Sequence, residues 1–212
     1  MAGKRYGMLL DLSLCIGCNA CVVACKQENG IPLRRFNTWI ESFDVDIAGD
    51  FRRANVPKLC NHCADAPCVR VCSTRASYQD ENGLVLIDEA RCIGCKYCMA
   101  ACPYSVRWVD DSTGVVGKCS YCSHRVSDGL LPACVSTCVT KARVFGDLSD
   151  ANSDVSKRLA EVGDGSGEAL LASLNIDTST RYRGLGKIEG LPVVSAVLRG
   201  GNVLKPYEGR RR

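Results

Sequence analysis

Sixteen cysteines fall into four sets of four, with none left over. Cys15, Cys18, Cys21 and Cys25 are spaced C-x2-C-x2-C-x3-C, and Cys60, Cys63, Cys68 and Cys72 are spaced C-x2-C-x4-C-x3-C. Cys92, Cys95, Cys98 and Cys102 repeat the first pattern and run into Pro103; Cys119, Cys122, Cys134 and Cys138 read C-x2-C-x11-C-x3-C. Three thiolates on a tight x2-spaced loop can cap three corners of an iron–sulfur cube, but that loop cannot easily swing back to the fourth iron. The cysteine four residues further on points away from it.

That is the wiring of the bacterial two-cluster ferredoxin run, in which the fourth cysteine serves the other cluster. Four sets therefore predict four [4Fe–4S] clusters in two pairs that exchange their last ligand. Structural zinc is the competing use of C-x2-C knuckles, although three cysteines at x2 spacing waste a ligand there. Disulfides are disfavoured by the short spacings and need oxidising surroundings. Gly17 and Gly94 stand where a loop must close around a cluster and aim backbone N–H groups at sulfur. Ile16 and Ile93 are expected to exclude water there.

The elements that must carry these loops can be sketched. "MLLD" (8–11) stands ahead of Cys15 as "VLID" (85–88) stands ahead of Cys92, and each reads as a short buried strand feeding a cluster loop and a helix. "VRWVD" (106–110) and "VVGK" (115–118) flank "DSTG" as a hairpin leading to the fourth set. "FNTWIESFDV" (36–45) alternates as a strand before the turn "AGD". From Gly146 the cysteines stop; "DANSDVSKRLAEV" (150–162) opens as a capped helix and "EALLASL" (168–174) as another. "GDGSG" between them lacks the lysine and strand of a phosphate loop.

The other candidates are quieter. His62 and His124 would be redundant as ligands, so both are read as structural, with tuning of a nearby cluster as the alternative. Trp39 and Trp108 read as core aromatics; Tyr97 and Tyr104 read as ordinary packing or as neighbours of clusters. No acid/base pair, nucleophile constellation or nucleotide loop is present, so no catalytic residue is assigned and the chain reads as an electron carrier. Formal net charge is +4. Four cubes at about −2 each would bring the sum to about −4, so the basic balance gives no argument for nucleic acid. The tail Arg210 to Arg212 reads as a solvated end, with lipid or partner contact as the alternative. No apolar run reaches the roughly 18 residues of a transmembrane helix. The N-terminus, with Lys4, Arg5, Asp11 and Ser13, does not read as a signal peptide. A cytoplasmic protein is the plain inference, although a protein loaded with cofactor in the cytoplasm can be exported folded with a partner.

The order of the sets, with "CNHCADAPCVRVC", "RCIGCKYCMAACPY" and "KCSYCSHRVSDGLLPACVSTC", resembles the four-cluster iron–sulfur subunit of the dimethyl sulfoxide reductase family of molybdenum or tungsten enzymes, over about residues 6–148. Among its branches, the polysulfide, thiosulfate and arsenate respiratory subunits are most similar. The resemblance implies an α+β fold of two ferredoxin-like modules, one inserted in the other: 1–27 plus 111–146, and 56–110. A strand-containing insertion (28–55) and a C-terminal arm (147–212) complete it. It implies one cluster on Cys15, Cys18, Cys21 and Cys138, and its mate on Cys119, Cys122, Cys134 and Cys25. A third falls on Cys60, Cys63, Cys68 and Cys102, and a fourth on Cys92, Cys95, Cys98 and Cys72. Because Cys95 is intact, the fourth is expected to be a four-iron cluster. Lys26, Ser73 and Val139 follow Cys25, Cys72 and Cys138 where the ferredoxin pattern has proline, leaving the turns there uncertain.

By the same resemblance the partners are a large molybdopterin or tungstopterin catalytic subunit, next to the Cys15 cluster, and a quinone-reactive integral membrane subunit, next to the Cys92 cluster. The protein would associate with the membrane through them, on the periplasmic face by co-export or else on the cytoplasmic face. The alternatives are a free-standing polyferredoxin or hydrogenase-associated relay and, from another class, a zinc-binding interaction module.

Overall fold

The computed structural model describes residues 3–47, 49–162, 165 and 167–188. The first strand, β1 (Tyr6–Asp11), leads through the first cysteine loop into α1 (Ala20–Glu28). A hairpin of ten-residue strands, β2 (Thr38–Ile47) and β3 (Asp50–Leu59), ends at Cys60. α2 (Pro67–Arg70) is followed by a three-residue hairpin of β4 (Ser77–Gln79) and β5 (Val85–Ile87), then by α3 (Tyr97–Ala100). The short β6 (Trp108–Val109) and β7 (Val116–Gly117) precede α4 (Ser123–Ser127) and α5 (Ala133–Ser136). β8 (Arg143–Asp147), α6 (Asp154–Ala160) and β9 (Thr180–Arg183) close the described chain. The result is a small α+β protein in which each cysteine set sits between such pieces.

β1 is the centre of a three-stranded sheet. It runs antiparallel to β8, with Tyr6 opposite Asp147 and Leu10 opposite Arg143, and parallel to β9, with Met8 opposite Thr180 and Asp11 opposite Arg183. Its apolar residues are buried on both faces, as alternation along a strand requires when both sides are covered. Leu9 packs on Val155, Leu159 and Val162 at α6, whereas Met8 and Leu10 join the main core with the cysteines. α6 is capped by Ser153, whose Oγ accepts from the Ser156 N–H at 3.2 Å.

The four-residue helices are far too short to persist alone. They are held by packing: α1 lies on α5, and α2 lies on α3. Since α1 and α5 carry cysteines of the first and fourth sets, and α2 and α3 those of the second and third, the packing gathers thiols from remote sequence.

The expected strands at 8–11 and 85–88, the hairpin between 106 and 118 and the strand within 36–45 all form. The helix expected over 168–174 does not. Glu168 and Tyr182 exchange backbone hydrogen bonds at 2.8 and 2.7 Å, Leu170 and Leu171 are buried in the main core, and only a single 3-10 turn forms at Ala172–Leu174. Pairing with β9 overrides local helix propensity there. The reading of Arg210 to Arg212 and the last part of the expected C-terminal arm, from 189 onward, lie outside the described residues.

Candidate iron–sulfur sites

The loops repeat one backbone device. The residue just before the second cysteine of each set is in the left-handed region: Gly17 (φ 71°), His62 (44°), Gly94 (67°) and Tyr121 (56°). Turning the chain there lets two thiols three residues apart face one concavity. In the first and third sets a second left-handed residue, Asn19 (φ 61°) or Lys96 (66°), starts the helix that bears the third cysteine. The Gly17 N–H hydrogen-bonds the Cys15 sulfur, the Tyr121 N–H donates to Cys119 Sγ at 3.4 Å, and the Ser77 N–H to Cys72 Sγ at 3.3 Å.

A Cβ on Gly94 would lie 2.6 Å from the Gly114 carbonyl oxygen, and one on Gly17 2.7 Å from Asn55 Oδ1. The crowding that the sequence placed at a cluster therefore comes from neighbouring chain.

The turn after the fourth cysteine does not depend on proline. Arg75, Ser105 and Lys141, each three residues after Cys72, Cys102 or Cys138, have φ of 57°, 51° and 56°, and each N–H bonds back to that cysteine's carbonyl at 3.1 to 3.2 Å. Cys25 differs: α1 continues through Lys26 to Glu28.

The thiols gather across the sequence. Cys63 and Cys102 both lie among Cys60 and Cys68, and Cys60, Cys63, Cys68 and Cys102 line one cavity with Tyr104 and Arg107. Cys72, Cys92, Cys95 and Cys98 line another. Cys15 has Cys21 and Cys138 as neighbours. Cys25 lies beside Cys134 and Cys122 as well as Cys21, and Cys119 beside Cys25, Cys134 and Cys60. Cys18 is exposed in the first loop. Burial, then crowding by the other thiols, pushes the pKa of Cys63 up to about 12 and those of Cys25 and Cys119 well above the ordinary range. Bound metal would reverse this, because coordinated thiols are deprotonated.

Among the described residues no three Cys, His, Asp or Glu side chains converge on a single metal ion, and all sixteen cysteines are free of disulfides. Thiols ringing a cavity fit a larger group, whereas structural zinc needs four ligands about 2.3 Å from one point. The five buried side-chain polar atoms without a partner among the described residues point the same way. They belong to Asn61, His62, Arg107 and Arg143, all close to the thiols. Four of these atoms, all but Asn61 Oδ1, are donors, and leaving a donor unpaired costs about 1–3 kcal/mol, more when charged, so acceptors such as cluster sulfur fit their surroundings.

Two arginines escaped the sequence reading. Arg107 and Arg143 are 4% and 3% exposed. The repeated spacing C-x4-R, from Cys102 and from Cys138, was the available signal. Lys118 is also buried; its ammonium donates to the carbonyls of Val85 and Cys119. His62 stacks on Tyr121 with ring centroids 3.8 Å apart, and its Nδ1 accepts from the Val85 N–H at 3.0 Å. Burial, then Lys118, holds its pKa well below the usual value, so it is neutral. His124 is exposed and bonds Glu28 at 2.9 Å. Trp108 is buried and Trp39 partly so, as core aromatics should be. Tyr104 borders the Cys60 cavity, whereas Tyr97 is exposed. Ile16 and Ile93, expected to exclude water, are 63% and 70% exposed and stand outward from the loops.

The family profile described as a 4Fe-4S dicluster domain matches residues 52–148, and that of a 4Fe-4S binding domain matches 8–28. The sequence is 46% identical over 157 residues to the B subunit of the tetrathionate reductase of Salmonella typhimurium, covering 73% of its own length and only 63% of that relative's. It is 42% identical over 208 residues to the iron-sulfur B subunit of a "Putative dimethyl sulfoxide reductase" of Halobacterium salinarum, covering 84% and 78%. Identity to the B chain of the polysulfide reductase of Wolinella succinogenes is 43% over 164 residues, covering 74% and 84%.

Proposed function

The protein belongs to the 4Fe-4S electron-transfer subunits of the dimethyl sulfoxide reductase family, and from that premise we propose that it relays electrons between a pterin-bound molybdenum or tungsten catalytic subunit and a quinone-reactive membrane subunit. When bound, its clusters supply one-electron carriers in a row. The observation that carries the reading is the cavity ringed by Cys60, Cys63, Cys68 and Cys102, whose last thiol comes from another set.

By this reading one cluster is held by Cys15, Cys18, Cys21 and Cys138, and its mate by Cys119, Cys122, Cys134 and Cys25. Cys60, Cys63, Cys68 and Cys102 hold the third, and Cys92, Cys95, Cys98 and Cys72 the fourth. The neighbours support a linear order. Cys21 and Cys25 link the first two, Cys119 and Cys60 the middle two, and Cys68 and Cys98 the last two. The packing of α1 on α5 and of α2 on α3 supports two modules, 1–27 plus 111–146 and 56–110, with 28–55 as an insertion and 147–212 as an arm.

The ends of the row carry exposed apolar side chains, Ile16 and Val139 at one end and Ile93 and Tyr97 at the other. Covering them suits partner docking at both ends, with the catalytic subunit at the Cys15 end and the membrane subunit at the Cys92 end. No helix among the described residues is long and apolar enough to cross a membrane, so partners would provide the anchorage, on the periplasmic face by co-export.

Metal and sulfide analysis with affinity capture tests the reading. About sixteen irons per molecule with matching labile sulfide, together with co-purification of a large pterin protein, is the expected result. Zinc in place of iron, or a complete pool of the protein free of any pterin protein, refutes it.

A further inference from the structure

Each proposed cluster pair has one buried guanidinium wedged between its two thiol groups. Arg107 donates through one terminal nitrogen to Cys68 Sγ at 2.8 Å and to Ser77 Oγ at 2.9 Å, with Cys98 also beside it. It lines both the Cys60 cavity and the Cys92 cavity. Arg143 donates to Thr38 Oγ1 at 3.0 Å, with Cys134, Cys21, Cys15 and Cys119 beside it. Among the described residues the second terminal nitrogen of each guanidinium has no hydrogen-bond partner.

Both guanidiniums are buried, and the ionisable groups around them are chiefly thiols: Cys68, Cys60, Cys98 and Cys102 for Arg107, and Cys134, Cys21 and Cys119, with the Tyr182 hydroxyl, for Arg143. No carboxylate is among these nearest charged neighbours. A buried cation is tolerated only where negative charge and hydrogen-bond acceptors meet it. Among the described residues that charge is best supplied by cysteinates and the clusters they would hold.

The position follows from the turn described above. Arg107 and Arg143 come two residues after the left-handed Ser105 and Lys141, which aims each fifth residue after the crossing cysteine back between the two groups. The corresponding residue in the second set is Ser77, the hydroxyl that Arg107 bonds. In the first set it is Gly30, with no side chain to offer, and Arg143 bonds Thr38 of β2 instead. Each cluster pair thus receives one such guanidinium from these positions.

We infer that Arg107 and Arg143 are positioning residues that act as shared counter-ions, one per cluster pair, each raising the reduction potential of both members of its pair together. This rests on the ligand sets proposed above. Adding one electron makes a cluster more negative by one unit, so a fixed cation nearby favours the reduced state of whichever member it faces. Facing two, it moves them in concert, which keeps them close in potential as their absolute values change.

The test is a mediated potentiometric titration with dithionite as reductant on the cluster-loaded protein, followed by electron paramagnetic resonance, with signals assigned through Cys60→Ser and Cys92→Ser. In Arg107→Met with full iron, the midpoints of the Cys60 and Cys92 clusters should both fall. The expected change is about tenfold in the redox equilibrium, or about 59 mV for a one-electron couple. The Cys15 and Cys119 clusters should hold their values, and Arg143→Met should show the reverse pattern. Arg107→Lys, which keeps the charge, should restore most of the shift.

Midpoints that stay put, rise, fall in one member only or fall equally in all four overturn the inference. If Arg107→Met loses iron, Arg107→Lys decides. Full iron with near-native midpoints supports a counter-ion, and loss of the same clusters overturns it. The relay reading fails separately, through a native protein without about sixteen irons.

Discussion

Replacing Cys25 should empty the cluster of a distant set. Cys25 sits in α1 only four residues after Cys21, yet it is buried beside Cys122 and Cys134, and the Asn29 amide spans Cys25 Sγ and Cys122 Sγ at 3.6 and 3.7 Å. Serine is nearly isosteric and the helix needs no thiol, so Cys25→Ser should keep the fold while removing one ligand from the Cys119 group. Losing a whole cube takes about four of about sixteen irons and about a quarter of the visible absorption near 400 nm.

Double replacement makes the count decisive, because effects within one unit are non-additive and effects in separate units add. Cys25→Ser with Cys119→Ser should retain about twelve irons, no fewer than either single change, whereas Cys25→Ser with Cys15→Ser should retain about eight. Iron and sulfide assays on purified protein read this directly, with electron paramagnetic resonance identifying the missing signal. The opposite pattern, about eight for the first double and about twelve for the second, would refute ligand exchange between the sets.

Gly94→Ala should destabilise the Cys92 cluster, since it adds about 1–2 kcal/mol of left-handed strain to a 2.6 Å clash with the Gly114 carbonyl; Gly114→Ala, at φ 73° with open space around it, should show the strain alone. Comparing iron retention of the two variants on warming checks this. Leu9→Ala, beneath α6, should lower stability by about 2–5 kcal/mol, seen as faster thermal bleaching and as lost hydrogen-exchange protection in α6 before the rest. Glu28 ties α1 to α4 through His124 at 2.9 Å and Arg125 at 3.0 Å, and these partners hold its carboxyl below 4.5. A depressed carboxylate stabilises above its unfolded value and loses that contribution as pH falls through the folded one. Wild type and Glu28→Gln should therefore differ in acid-unfolding curves above about pH 4.5 and converge below it.

That thiols from different sets gather was legible because cysteine spacing constrains how a loop can present them, and the strands ahead of Cys15 and Cys92 announce themselves by apolar runs next to a loop. What stayed hidden depends on distant partners. β9 reads "TRYR", with Arg181 and Arg183 breaking any apolar pattern, and it exists because β1 offers a free edge some 170 residues away in sequence. Leu170 and Leu171 suit a helix equally well until that strand pairs with Glu168. Arg107 and Arg143 were visible as a repeated spacing, but arginine is usually a solvated charge and only burial between thiols shows otherwise. Ile16 and Ile93 failed for the converse reason: an apolar residue beside a buried site need not itself be buried when a second protein can cover it.

β9 bears on how the molecule is made. It seals the middle of the row: Thr180 Oγ1 donates to the Cys60 carbonyl at 3.1 Å and meets the Tyr121 hydroxyl, while the Tyr182 hydroxyl reaches the Pro57 carbonyl at 2.9 Å. A ribosome delivers all sixteen thiols before it delivers this strand. With the ligand sets proposed above, the growing polypeptide would pass through a stage at which every ligand is available before β9 can pair with β1, and translation of residues 180–183 would act as the closing stitch.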